Sequence, residues 1–147
     1  MCGLAAVSIA VLGAWSPAAA QTTNVVDGIV EDDPDNYSVA GYSAGSDNLL
    51  VITNGGVLNV GGNFYLKFGG GDNNRAIVTG TGSALNCTGI VKLGYGADNV
   101  LAIMSGGDVA GDGMILGESG SAVSNRVVVS GSGSSLVLED YIRIGGA

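Results

Sequence analysis

Short apolar runs, broken by Gly, Ser and Asn, recur along the chain. Asparagine heads four of them: Asn48, Asn74, Asn99 and Asn125 precede LLVI, RAIV, VLAI and RVVV. The second and fourth positions of these runs are always apolar, as Leu50 and Ile52, Ala76 and Val78, Leu101 and Ile103, Val127 and Val129. The first position is arginine twice, Arg75 and Arg126. Side chains alternate across a strand, so this pattern predicts strands with the apolar pairs inside and the arginines outside. No helical period fits.

A turn follows each run and takes two alternating forms. The first and third copies read TNGG and MSGG, the second and fourth TGTGS and SGSGS. The repeat is therefore two units long, since Asn48 to Asn99 and Asn74 to Asn125 both span 51 positions. Glycine supplies the backbone angles that tight corners require. A second apolar run ends near Leu58, Leu85, Val109 and Leu136, and a third precedes Gly69, Gly94, Gly117 and Gly145. In the third run Lys67, Lys92 and Arg143 are expected outside, with Leu66, Phe68, Val91, Leu93, Ile142 and Ile144 inside.

Three short strands and three corners in about 25 residues describe one turn of a parallel β-helix. The predicted fold is all-β, a single-stranded β-helix of about four coils, with strands about 4.8 Å apart and a rod on the order of 20 Å tall. Equivalent asparagines would then stack as an amide ladder. Coils are expected near residues 37–63, 64–90, 91–113 and 114–141, with a fifth beginning at 142–147. The alternative is an antiparallel β-sandwich, which does not require equivalent strands to recur every 51 residues.

Composition narrows the function. The net charge is −8 and histidine is absent, which argues against nucleic acid and removes the commonest general base and metal ligand. Residues 1–20 read as a signal peptide: an apolar run from Leu4 to Trp15, too short to span a bilayer, then Ala18-Ala19-Ala20 before Gln21. No basic residue precedes that run, so the natural start is expected further upstream. Cleavage leaves Cys87 as the lone cysteine, read as a small buried hydrophobe. Residues 21–36 read as an acidic lead-in or cap, with Val25-Val26 and Ile29-Val30 able to form an early strand.

The strings VVVSGSGSSL and LLVITNGGVLNVGGNFYL, and their alternation, resemble the repeats of type V secretion (autotransporter) passengers and PEP-CTERM-associated proteins. The likeness covers Tyr37 to Gly146. It implies a right-handed parallel β-helix exposed at the cell surface, the outer membrane or beyond it in a Gram-negative bacterium. The chain is expected to be the N-terminal piece of a longer protein, with further repeats or a translocator domain supplied elsewhere.

Candidate chemistry rests on the acids Asp47, Asp72, Asp98, Asp108, Asp112, Glu118 and Glu139. Stacked coils would bring Asp47, Asp72 and Asp98 to one corner, and paired carboxylates about 5–9 Å apart hydrolyse glycosides. Asp before Asn at a corner is, however, ordinary turn chemistry. Calcium is a further option for residues 31–35 and for the Gly-rich segments before Asp72 and Asp108, although neither an EF-hand loop nor a nonapeptide period is present. The Asn86-Cys87-Thr88 sequon is read as incidental. Thr53 and Thr79 do not extend into a threonine ladder, since Met104 and Ser130 follow in their places. The leading expectation is a non-catalytic stalk or scaffold with no cofactor, metal or catalytic residues. The first alternative is an adhesin binding surface glycans or other cells through Ser43 to Asp47 and Glu118 to Ser124. The second is a fragment of a polysaccharide-degrading enzyme.

Overall fold

The computed structural model describes residues 22–39, 45–68 and 71–145. These form fifteen short strands in five successive groups of three. Coil one is β1 (Thr23–Asp27), β2 (Val30–Asp33) and β3 (Tyr37–Ser38). Coil two is β4 (Leu49–Thr53), β5 (Val57–Val60) and β6 (Phe64–Lys67). Coil three is β7 (Arg75–Thr79), β8 (Ala84–Cys87) and β9 (Ile90–Leu93). Coil four is β10 (Val100–Met104), β11 (Asp108–Gly111) and β12 (Gly113–Leu116). Coil five is β13 (Arg126–Ser130), β14 (Ser135–Leu138) and β15 (Ile142–Ile144).

Each strand pairs in parallel with its equivalents in the adjacent coils, giving three five-stranded sheets. The fold is a parallel β-helix, and the parallel pairing excludes the sandwich. Sheet one stacks Leu50, Ala76, Leu101 and Val127 in one column and Ile52, Val78, Ile103 and Val129 in another. Leu58, Leu85 and Val109 come from sheet two, and Phe64, Leu66, Val91, Leu93 and Met114 from sheet three. All are at most 1% exposed, and together with the sheet-one columns they fill the interior. At about 25 cal/mol per Å² of buried apolar surface, these columns supply most of the favourable energy.

The first corner explains the two-coil period. The N–H groups of Gly55 and Gly106 donate to the hydroxyls of Ser83 and Ser134 in the following coil, at 3.1 and 3.0 Å. TNGG with TGTGS, and MSGG with SGSGS, are thus the two halves of a hydrogen-bonded pair. A side chain at Gly107 would place its Cβ 2.5 Å from the carbonyl oxygen of Val78, so glycine is required there by close approach of the coil beneath.

Four details differ from the pattern-based expectation. The acidic lead-in supplies β1 and β2, which together with β3 make an integral coil. Lys67, expected outside, is fully buried; Gly71 of the following corner lies against it, a Cβ there falling 3.0 Å from Lys67 Cε. Desolvation lowers the pKa of its ammonium. A register shift between Tyr65 and Lys67 accounts for the exchange of faces. Phe68, expected inside, packs edge-on against Tyr65 and Tyr95 outside the core cluster. Finally, Val129, Ile142 and Ile144 hold core positions but are 45%, 58% and 80% exposed, because no further described coil covers them. The signal-peptide expectation for residues 1–20 lies outside the described residues.

The opposite end differs in chemistry. In coil one, Asn24, Glu31, Asp33 and Tyr37 occupy the columns of Leu50, Leu58, Val60 and Phe64. The Asn24 amide donates to the Tyr37 hydroxyl at 3.3 Å, and the Tyr37 ring stacks on Phe64 with centroids 5.9 Å apart. Burial raises the pKa of the Tyr37 hydroxyl; the Asn24 bond opposes this, and the charges of Glu31 and Asp33 add to it. Polar residues thus stand in core register at this end of the described coils.

Candidate functional site

The asparagine-headed corner carries the most regular polar geometry. The Asn74 carboxamide oxygen accepts from the Asn48 backbone N–H at 3.1 Å and from the Asn48 side-chain amide at 2.8 Å. Asn99 does the same for Asn74, at 2.9 and 3.0 Å. The Asn125 oxygen then accepts from the Asn99 N–H at 2.9 Å. Asn48, Asn74 and Asn99 are 4%, 0% and 0% exposed, so the ladder offers nothing to a ligand.

The three corner acids do not converge as one set. Asp47 and Asp98 share a column with Asn73 and Ser124, each directly before its marker asparagine and each left-handed, with φ of 62°, 56°, 57° and 59°. Asn73 lies between the two acids, and its amide donates to Asp47 at 2.5 Å. Asp47 and Asp98 are thereby two strand spacings apart, about 9.6 Å. Asp72 sits one residue earlier, where it accepts from the Ala97 N–H at 2.8 Å, while its own N–H donates to the Ser46 hydroxyl at 3.0 Å. Both residue types are bonded as turn formers.

The remaining acids are dispersed. Asp108 accepts from the Ser135 hydroxyl at 2.6 Å. Asp112 and Glu139 line a depression on the outside of sheet two. Glu118 lies 3.5 Å from both Lys92 and Arg143 on the outside of sheet three. There Lys92 is 5.5 Å from the Tyr65 ring centroid. The Tyr95 hydroxyl pKa is raised by desolvation first and by Glu118 second. Among the described residues no three acids or cysteines gather as metal ligands would. In the 31–35 segment, Asp32 accepts from the Asn59 amide and Asp33 from the Asp35 N–H, at 2.8 and 3.0 Å. Cys87 is buried, its thiol pKa raised by desolvation, and it donates to the Gly89 carbonyl at 3.2 Å.

The corner loops proposed for adhesion are represented by Gly45 to Asp47 and by Glu118 to Ser124; Ser43 and Ala44 lie outside the described residues. Ser119 and Ser121 direct their hydroxyls to the Tyr95 carbonyl, at 3.3 and 3.5 Å.

One surface was not singled out by the pattern of the sequence. On the outside of sheet two, Asn86 donates to Asn59 at 2.9 Å and Asn59 to Asp32, making an exposed polar ladder across three coils. It borders a depression of about 380 Å³ lined also by Asp33, Pro34, Gly61 and Thr88. Cys87 and Thr88 are shared with the Asp112 and Glu139 depression, of about 340 Å³, so a shallow groove follows the solenoid axis. The available signal was the recurrence of Leu-Asn at 58–59 and 85–86, in the second run of successive units. Comparison of the chain with protein-family models, curated proteins and solved structures finds no match.

Proposed function

We propose that this chain is an exported structural segment, a stalk or scaffold of a bacterial surface or autotransporter-type passenger, with no catalysis of its own. The observation that carries this reading is where the polar side chains are spent. Asn48, Asn74, Asn99, Asn73 and Asp72 all bond from one coil to the next. Such groups hold a rod together and leave its corners without a convergent acid–base pair. The segment 1–20 is then the export signal, and Tyr37 to Gly146 the resemblance to passenger and PEP-CTERM-associated repeats. The test is expression of the full chain in a Gram-negative host with N-terminal sequencing of the exported product. The expected product begins at Gln21 outside the cytoplasm; retention of an unprocessed chain inside overturns the export reading.

The groove on sheet two favours a second reading, glycan binding. Amide and carboxylate groups at Asp32, Asn59 and Asn86 present alternating donors and acceptors of the kind that match sugar hydroxyls. A glycan array with the wild-type chain and with Asn59→Ala plus Asn86→Ala separates the readings. Binding lost in the double variant supports glycan recognition, and no retained glycan leaves the scaffold alone.

A further inference from the structure

The face of coil five that turns away from coil four is an open core. Its interior positions are Val127, Val129, Leu136, Leu138, Ile142 and Ile144, and exposure reaches 80% at Ile144. The equivalent residues of coil three, Ala76, Val78, Leu85, Val91 and Leu93, are 0% exposed. What covers them is coil four, through β10, β11 and β12.

Coils three and five are the same half of the two-coil unit. Both spend the serine of their glycine-serine corner on the preceding coil, Ser83 on Gly55 and Ser134 on Gly106. Their forward faces are therefore alike, and coil four shows what such a face accepts. The asparagine ladder repeats the point in polar terms. The N–H groups of Asn48, Asn74 and Asn99 each donate to the asparagine of the next coil. Among the described residues nothing accepts from the N–H of Asn125.

We propose that this face is a docking surface for one further coil of the coil-four kind. That coil is headed by an asparagine, is apolar at the second and fourth strand positions, and turns through a Gly-Gly corner. A lone coil cannot bury its own apolar face, so such a coil is folded only when stacked on a face of this kind. The exposed end of a second copy does not fit. Coil one would set Glu31 and Asp33 against Leu136 and Leu138, and burying two carboxylates on apolar surface without partners is strongly unfavourable.

The test replaces Gly146 and Ala147 by a duplicate of residues 95–117, which keeps the spacing from glycine to asparagine. The expected result is a monomer whose melting temperature rises by at least about 5 °C. Its β13 amides should exchange at least tenfold more slowly. Changing the appended asparagine to alanine should remove part of the gain. A parallel arm appends residues 22–38 instead, and should give no gain. The proposal is overturned if the coil-four duplicate gives no rise, or if the coil-one sequence stabilises equally. It is also overturned if the unextended chain already forms a dimer that protects β13 to the same degree.

Discussion

Asn74 is the residue on which most of the corner depends. Replacing it by alanine removes the acceptor of the buried Asn48 N–H and one of the two acceptors of its side-chain amide, which keeps the Ser46 carbonyl. Each buried orphan costs about 1–3 kcal/mol, so Asn74→Ala should lose about 3 kcal/mol in urea unfolding. Asn125→Ala, which orphans the Asn99 N–H, should lose about 1 kcal/mol. Equal losses at the two positions would contradict a stacked ladder. Tyr37 supplies a pH test. Its pKa in the fold lies above the ordinary 10.0, so its contribution is complete below pH 10.0 and is lost as the pH rises through the folded value. Tyr37→Phe should remove that alkaline loss, at the cost of the Asn24 bond, about 1 kcal/mol at neutral pH. Parallel stability–pH curves for the two proteins above pH 10.0 would exclude Tyr37 as the group responsible. The marker asparagines were legible because they recur directly before the first strand of four successive coils. The burial of Lys67 was not, because a one-residue shift of register reverses the faces and leaves no trace in the alternation.

At the scale of the strand, burial depends on which coil carries the residue more than on the residue itself. Leu101 in β10 is covered by coils on both sides and is 0% exposed, whereas Ile144 in β15 has a neighbour on one side only. Leu101→Ala should therefore cost about 2–5 kcal/mol, and Ile144→Ala less than about 1 kcal/mol. Thermal melts of the two variants check this, and comparable losses would mean that coil five is packed as tightly as coil four. Period-two alternation made the strands of coils two to five readable, including the inward set of sheet one. Coil one was harder to read because Asn24, Glu31 and Asp33 stand at core positions, and polar residues there erase the alternation.

At the scale of the molecule, the strongest contacts between strands join successive coils, so stability is close to a sum over neighbouring interfaces. Native-state hydrogen exchange should show protection highest in β7 to β12 and lowest in β13 to β15, following the fall in burial along the axis. A single uniform protection across all coils would show that the rod opens as one unit. The two ends make the molecule polar in a chemical sense, with carboxylates and an amide at one end and bare valine, leucine and isoleucine at the other.

The sequence by itself determined the repeat, the strand alternation, the glycine corners and hence the class of fold, because all of these are local and periodic. Tertiary structure alone decided which polar groups meet. The ladder through Asp32, Asn59 and Asn86, the separation of Asp47 from Asp98 by Asn73, and the open face of coil five follow from the stacking register. That register joins residues about 26 positions apart in one column, a relation that depends on how the coils close and on the length of each corner.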